Sequence, residues 1–406
     1  MRRLRTADIC PDGTIKMEGA EGERCDQFLK TETIQIMAGA AMLSAFTYVP
    51  ILARETMGAP EVLITILVGA YATAAFLTSY IFGRAGDVYG RRIVIRFGLL
   101  AALVSFGLLI VSRDFQTLFI VRVANGLCVG IYPGALAAYA FESNMKMGRY
   151  ASWGAMGWGV GTLLAGYAAG TDIYLAFVMS TLFLLIAFIS ALTLPALPRT
   201  RIEVPWFPVE TFKRNLSIYL SVFIRHSSAF AIWTLWPLFL FDKFQADTFL
   251  IGIVQATNAI SQVVFMATIT DRVQCRKLVL IGLLTSAVTF VWFTVAADFF
   301  QIVLTQVLLG FSWATMYVGA LKYVTERNEE RSTASGLLQS TLSISGVVGP
   351  IIATAIYLVW PGYEPIMLFA ALAATVSAII FYFSKNGAPV IVTDPETLSV
   401  ETPLDL

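Results

Sequence analysis

The stretch "GDVYGRRIVIRFGLLAALVSFGLLIVSRDF" (residues 86–115) returns 184 residues later as "TDRVQCRKLVLIGLLTSAVTFVWFTVAADF" (270–299). In each copy a polar turn leads into an apolar run that closes on Asp-Phe. Asp87 aligns with Asp271, Arg92 with Arg276, Gly98 with Gly282, and Asp114–Phe115 with Asp298–Phe299. The offset holds without a gap through Gly126/Gly310 to Glu142/Glu326. Self-similarity at a fixed offset marks a duplicated unit.

The rest of the chain says what was duplicated. Its 406 residues are 57% hydrophobic and only 14% charged, where a soluble chain carries about 25% charge. The apolar residues come in blocks of the roughly 20 residues that a membrane-spanning helix needs. Twelve spans are predicted: 33–53, 62–82, 93–112, 116–141, 150–170, 173–194, 216–241, 248–269, 278–297, 299–323, 335–359 and 364–384. The fold class is an all-α membrane protein of twelve transmembrane helices in two six-helix pseudo-repeats. An even number of spans gives both repeats one orientation, so their axis runs along the membrane normal. The expected organisation is a cytoplasmic tail (1–32), a six-helix bundle (33–194), a cytoplasmic linker (195–215), a second bundle (216–384) and a cytoplasmic tail (385–406). The linker, "PALPRTRIEVPWFPVETFKRN", carries four prolines and several charges, which break helices.

Charge sets the orientation. With the N-terminus in the cytoplasm, the segments on that side, counted with adjoining span ends, hold 23 of the 28 Lys and Arg. Arg54, Arg113 and Lys243 fall outside, and Arg122 and Arg225 lie within spans. This follows the positive-inside rule, puts both termini in the cytoplasm of a plasma or inner membrane, and argues against nucleic-acid binding. The first thirty residues have six basic residues but no apolar core of a signal peptide. Cys10, Cys25 and Cys275 are then cytoplasmic and Cys128 intramembrane, so no disulfide framework is expected. A Cys10/Cys25 metal site would lack its other ligands. There is no Walker-type loop and no Ser-His-Asp or Cys-His set. No enzyme activity, cofactor or metal is expected.

Within residues 33–384, the six-plus-six layout and "GRAGDVYGRR" (83–92) resemble the major facilitator superfamily. The family's loop 2–3 signature reads roughly G-x-L-a-D-r-x-G-R-[RK]. Here Gly83, Gly90, Asp87, Arg91 and Arg92 are kept, with Ala85 for the Leu and Val88 for a basic residue. Physically, Gly83 and Gly90 permit a tight reversal, Asp87 can accept from helix N-terminal amides, and the arginines can pair with nearby carboxylates. The resemblance implies that this cluster latches the two halves in an outward-facing state; a merely topogenic basic loop is the alternative. "ESNMKMGR" (142–149) is similar to the loop 4–5 pattern of sugar porters, and Glu142 offers Arg91 or Arg92 a partner. Glu142, Arg149, Asp271, Arg276, Glu326 and Arg331 are gating candidates, or ordinary solvated helix ends.

Three spans carry further candidates. Span 4, "VRVANGLCVGIYPG" (121–134), resembles the superfamily pattern R-x-x-Q-G with Asn125 for Gln. Arg122, Gly126, Gly130 and Gly134 fall on one helical face, and Arg122 is either structural or a substrate or coupling residue. Span 5 looks like the antiporter pattern GxxxGPxxGG around Gly157 and Gly161, with Thr162 for Pro and Ala165 for Gly. In the second half Gly349-Pro350 keeps the Gly-Pro. The plainer reading is tight helix packing at the interface between the halves. In span 7, "LSIYLSVFIRHSSAFAIWTLWPLF" (216–239), Arg225 lies near the midplane, where a charge costs about 2.5–3.5 kcal/mol. No span holds an interior Asp or Glu, so Arg225 is expected in a water-filled cavity, with a structural role bonded to Ser227, Ser228 or backbone carbonyls as the alternative. His226, the single histidine, is a proton carrier or a packing residue. Trp233 and Trp236 are candidate walls of the same site.

The functional expectation is a secondary active transporter, a monomer in the lipid bilayer, moving a small organic solute by alternating access. Buried arginines favour an anionic or polar metabolite, with proton coupling as a candidate drive. A proton-coupled multidrug antiporter and a non-transporting receptor or scaffold on the same fold are the alternatives.

Overall fold

The computed structural model describes residues 20–197, 202–246 and 248–384. Cys10 and most of both tails lie outside the described residues, as does the Cys25 side chain, so the Cys10/Cys25 site lies outside them too. Cys128 and Cys275 are free thiols.

The described residues are helical throughout, with no strand. The first half comprises α1 (Ala20–Ile51), α2 (Glu61–Tyr89), α3 (Arg91–Gly107), α4 (Phe115–Val129), α5 (Pro133–Glu142), α6 (Met147–Ala169) and α7 (Ile173–Leu192). A short helix in the linker, α8 (Val209–Arg214), leads to the second half: α9 (Leu216–Phe244), α10 (Thr248–Thr268), α11 (Cys275–Val295), α12 (Phe299–Glu326), α13 (Arg331–Val359) and α14 (Glu364–Phe383).

The duplication is visible in the caps. Asp114 accepts from Thr117 N at 2.9 Å to start α4, and Asp298, at the repeat offset, accepts from Gln301 N at 2.8 Å to start α12. A carboxylate at this position satisfies an amide that the helix cannot. The copies then differ. Span 4 is interrupted between Val129 and Pro133, because a proline has no N–H to donate and clashes with the preceding turn. At the offset α12 has Tyr317 and runs unbroken.

The helices show two kinds of surface. Along α3, Ile93, Phe97, Leu100, Val104 and, just beyond it, Val111 are exposed, while Ile95, Leu99, Ala102 and Phe106 are buried. An exposed apolar stripe of that length suits lipid rather than water. Among the described residues, ten helical segments are long and apolar enough to cross a membrane. The remaining two expected spans are α6 and α9, of 23 and 29 residues. They are long enough at 1.5 Å per residue but lowered in hydropathy by glycine and aromatics in α6 and by Arg225, His226 and serines in α9. Each packs among other helices, α6 against α1, α7 and α10, and α9 against α13 and α14. Polar residues in them can therefore face protein.

Helix α2 corrects one reading of the polar stretch. It continues through Gly83 to Tyr89, and the reversal into α3 is made at Gly90 alone, with φ 105°. That backbone region favours glycine. Gly83 serves a helix crossing instead: a Cβ there would meet Gly336 Cα of α13 at 3.0 Å.

The glycines expected at the interface between the halves pack elsewhere. Gly157 and Gly161 lie against the α1 backbone at Ile36 and Ala40, Gly126 and Gly130 against α2, and Gly349, just before Pro350, against α9 at Ser227 and Phe230. These contacts are within each half. The seam between halves is made by Gly83, Gly86, Gly134, Gly148 and Gly336. The break before Pro133 separates Gly134 from the face shared by Gly126 and Gly130, which turns it to α13.

Candidate functional site

The seam closes at one end of the bundle, here termed the basic face. Asp87, at the end of α2, is 1% exposed. Its carboxylate accepts from Ser332 N (3.2 Å), Thr333 N (2.7 Å) and Thr333 Oγ1 (2.6 Å) in the first turn of α13. Unpaired amides and the dipole make that helix end a receptor for an anion. Arg91 Nη2 lies 3.1 Å from Asp87 Oδ1 and 2.6 Å from Glu142 Oε1. Arg331 Nη1 reaches the same Glu142 oxygen from the other half at 3.3 Å.

A second clasp repeats the first. Asp271, after α10, accepts from Gly148 N (2.8 Å) and Arg149 N (3.1 Å) in the first turn of α6. Asp87 and Asp271, Ser332 and Gly148, and Thr333 and Arg149 are all related by the same 184-residue offset. The supports are not repeated. Cys275 stands at the offset from Arg91 and Met147 at that from Arg331. Glu326, the counterpart of Glu142, is exposed and has no ion pair among the described residues.

The other gating candidates do local work. The Arg149 side chain pairs with Glu32 of α1 at 2.6 Å, within its own half. Arg276 donates to Tyr382 O at 2.6 Å and Ser384 O at 3.2 Å, capping α14; Arg96 caps α7 likewise at Ala191 O and Leu192 O. Arg92 Nε is buried without a hydrogen-bond partner, so Arg92 joins neither clasp. Arg84 donates to Val204 O of the linker at 2.6 Å and lies over Trp206 at 4.4 Å, a role the sequence motif did not suggest.

Beyond the clasps, toward the midplane, two adjoining cavities of about 90 Å³ and 130 Å³ open between the halves. Met42 of α1 and Gln339 of α13 line both. Tyr132, Tyr150, Trp158 and Tyr317 wall the smaller one, and Tyr71 and Phe230 the larger.

The intramembrane candidates stand behind these walls. Arg225 is 2% exposed and lies inside the second half. Its Nε donates to Ser286 Oγ at 2.9 Å and its Nη2 to Ser312 Oγ at 3.3 Å, with Phe290 and Trp313 flanking the guanidinium. The expectation of a cavity-facing Arg225 is thus corrected: two hydroxyls on α11 and α12 give it partners that a scan for acidic residues misses. His226 stacks on Trp313 at 4.8 Å, and Trp313 on the cavity residue Tyr317 at 5.3 Å. Its Nδ1 is buried without a partner. Trp236 is 1% exposed among Phe239 and Phe293, with Trp233 edge-on to it. Neither tryptophan lines the two cavities, because their face of α9 turns into the core of its own half. Arg122 is buried with its guanidinium 3.8 Å from the Tyr71 ring, and its Nε and Nη1 have no partner. A first prediction follows from this placement. Arg225→Met should leave solute Kd within about twofold, since it removes bonds only inside the second half; equilibrium binding on purified variant checks it.

The Major Facilitator Superfamily profile matches residues 34–216 and 218–403. The chain is 23% identical over 348 residues to the tetracycline resistance protein, class B, of Escherichia coli, covering 77% of this chain and 85% of that protein. It is 22% identical over 352 residues to the multi-drug resistance efflux pump PmrA of Streptococcus pneumoniae, covering 79% and 86%. Its fold superposes on the crystal structure of the human organic anion transporter MFSD10 (TETRAN) with a TM-score of 0.74 at 14% identity, covering 88% of this chain and 99% of that one.

Proposed function

The chain belongs to the major facilitator superfamily, and from that premise we propose that it exports a small organic solute by alternating access. It is a multi-pass membrane transporter and not an enzyme. The direction is supported by the relatives' names, a tetracycline resistance protein and a multidrug efflux pump. The basic face is read as cytoplasmic, with both termini there, in the plasma membrane; the distribution of Lys and Arg supports this. The clasps then close the cytoplasmic side, and the state described is the outward-facing one.

One observation carries the reading: two carboxylate-to-helix clasps, related by the repeat, close one face of a cavity shared by both halves. Such a device has two states, since each carboxylate either meets the opposite helix end or water. Asp87, Arg91 and Glu142 are its principal parts. Proton coupling would act at Glu142, shared between two arginines of opposite halves, or at His226.

A second reading takes an organic anion as the solute. It is favoured by Arg122, whose Nε and Nη1 are buried without hydrogen-bond partners behind Tyr71, and the human structural neighbour, named as an organic anion transporter, points the same way.

The test is flux. Proteoliposomes carrying the protein in known orientation should move tetracycline from the basic-face side outward under a proton gradient, and Asp87→Asn should lower that movement at least about tenfold. Binding without flux under either gradient polarity would favour a receptor on this fold.

A further inference from the structure

The cavity between the halves has a chemical character of its own. No Asp, Glu, Lys, Arg or His lines either of its two parts. Its polar groups are neutral, and several lack partners. Gln35 of α1 and Gln339 of α13 approach it from opposite halves, and neither side chain has a hydrogen-bond partner among the described residues. Ser335 is 3% exposed, and its Oγ, also on the lining, is buried without a partner. A buried polar group without a partner, as at Ser335, costs free energy, and the two amides, which face the open cavity, are free to bond a visiting solute in place of water.

The Gln35 amide is held in place. A Cβ at Gly154 would fall 2.7 Å from Gln35 Nε2, so the bare glycine provides the space that the amide fills. Gln339 stands about 12 Å along α13 from Arg331, on the helix whose first turn Asp87 grips. Around the amides the walls are aromatic, and Tyr317 is backed by the parallel Trp313 ring at 6°.

We infer that this cavity binds an uncharged, flat solute with a hydrogen-bond donor and acceptor on one edge, gripped between the carboxamides of Gln35 and Gln339. The inference rests on the transport reading above and names its solute class. A carboxamide offers both a donor and an acceptor, so each glutamine can take one of the two groups on such an edge. Aromatic walls take the faces of a planar ring. A charged solute would leave water for a lining with no counter-ion, which is heavily disfavoured. A solute held by both amides ties α1 to α13 and so favours approach of the halves.

Three probes with one ring and different charge test it on purified protein: benzamide, benzoate and benzylammonium. Isothermal titration should show benzamide binding at least about tenfold tighter than either ion. Gln35→Leu and Gln339→Leu should each weaken benzamide about tenfold, the loss of one net hydrogen bond, with unchanged melting temperature in its absence. Gln339→Glu should reverse the order in favour of benzylammonium, which a misfolded variant could not do. Benzoate binding as tightly as benzamide, no benzamide binding at millimolar concentration, or indifference of benzamide to both leucine variants would each overturn the inference. Tetracycline flux is measured separately. Flux without benzamide binding removes only the solute class; benzamide binding without flux removes only the transport direction and activity.

Discussion

Asp87→Asn should lower transport at least about tenfold and open the basic face, while solute affinity in the clasp-open state stays unchanged. The carboxylate receives three hydrogen bonds from the start of α13 and the charge of Arg91. Hydrogen bonds to a charged group contribute about 1.5–3 kcal/mol each. Asparagine keeps one acceptor, turns an amide donor toward backbone donors, and leaves the Arg91 charge with Glu142 alone. A loss of even about 1.4 kcal/mol shifts the clasp equilibrium tenfold. Spin-label distances between the basic-face ends of α2 and α13 would report the opening. Affinity falling in proportion to flux would instead make Asp87 a binding residue.

Gly336→Leu should be more severe, abolishing transport with little loss of fold. A single Cβ at residue 336 would meet Gly83 Cα and Ser79 O, both at 2.6 Å. These are atoms of the α2 backbone or bonded to it, and cannot turn aside as a flexible side chain does. The added leucine forces α2 and α13 apart and carries Asp87 out of reach of Thr333. Gly161→Leu offers the contrast. Its Cβ would strike Ala40 O of α1 at 2.2 Å inside the first half, where overpacking costs about 1–3 kcal/mol or more in stability. Melting temperature and flux together separate the two. Gly336→Leu should retain the melting transition and lose flux, whereas Gly161→Leu should lose both. A transporting Gly336→Leu would show that α2 and α13 need not meet.

The architecture was legible because its signals are local or exactly periodic: apolar blocks of spanning length, Asp-Phe caps, and one fixed offset. The site was legible in part. Asp87, Arg91 and Glu142 stand out by side-chain type. Their partners, the amides of Ser332 and Thr333, do not, since every residue but proline has an N–H. The repeat offset relates them to Gly148 and Arg149 but does not join either pair to an aspartate. Arg225 was visible as a costly charge, but sequence does not set the rotation of α9 about its axis. Its serine partners lie 61 and 87 residues away on helices of the same half. Gly83 misled because glycine serves both sharp turns and close crossings. Gln35 and Gln339 gave no signal, as neutral amides are common on helices and nothing in their spacing joins them.

The unequal bracing of the two clasps has a mechanical consequence. Around Asp87, arginines from both halves converge on Glu142; around Asp271, a cysteine and a methionine occupy those places. Two fasteners of unequal strength on one lid do not release together. On the alternating-access reading proposed above, the α6–α10 side is expected to yield first, with Arg91, Glu142 and Arg331 as the pivot. An opening of that kind would be wedge-shaped, widest near the cavity residues Tyr150 and Met266, and would admit a solute from that flank, obliquely, instead of along the central axis.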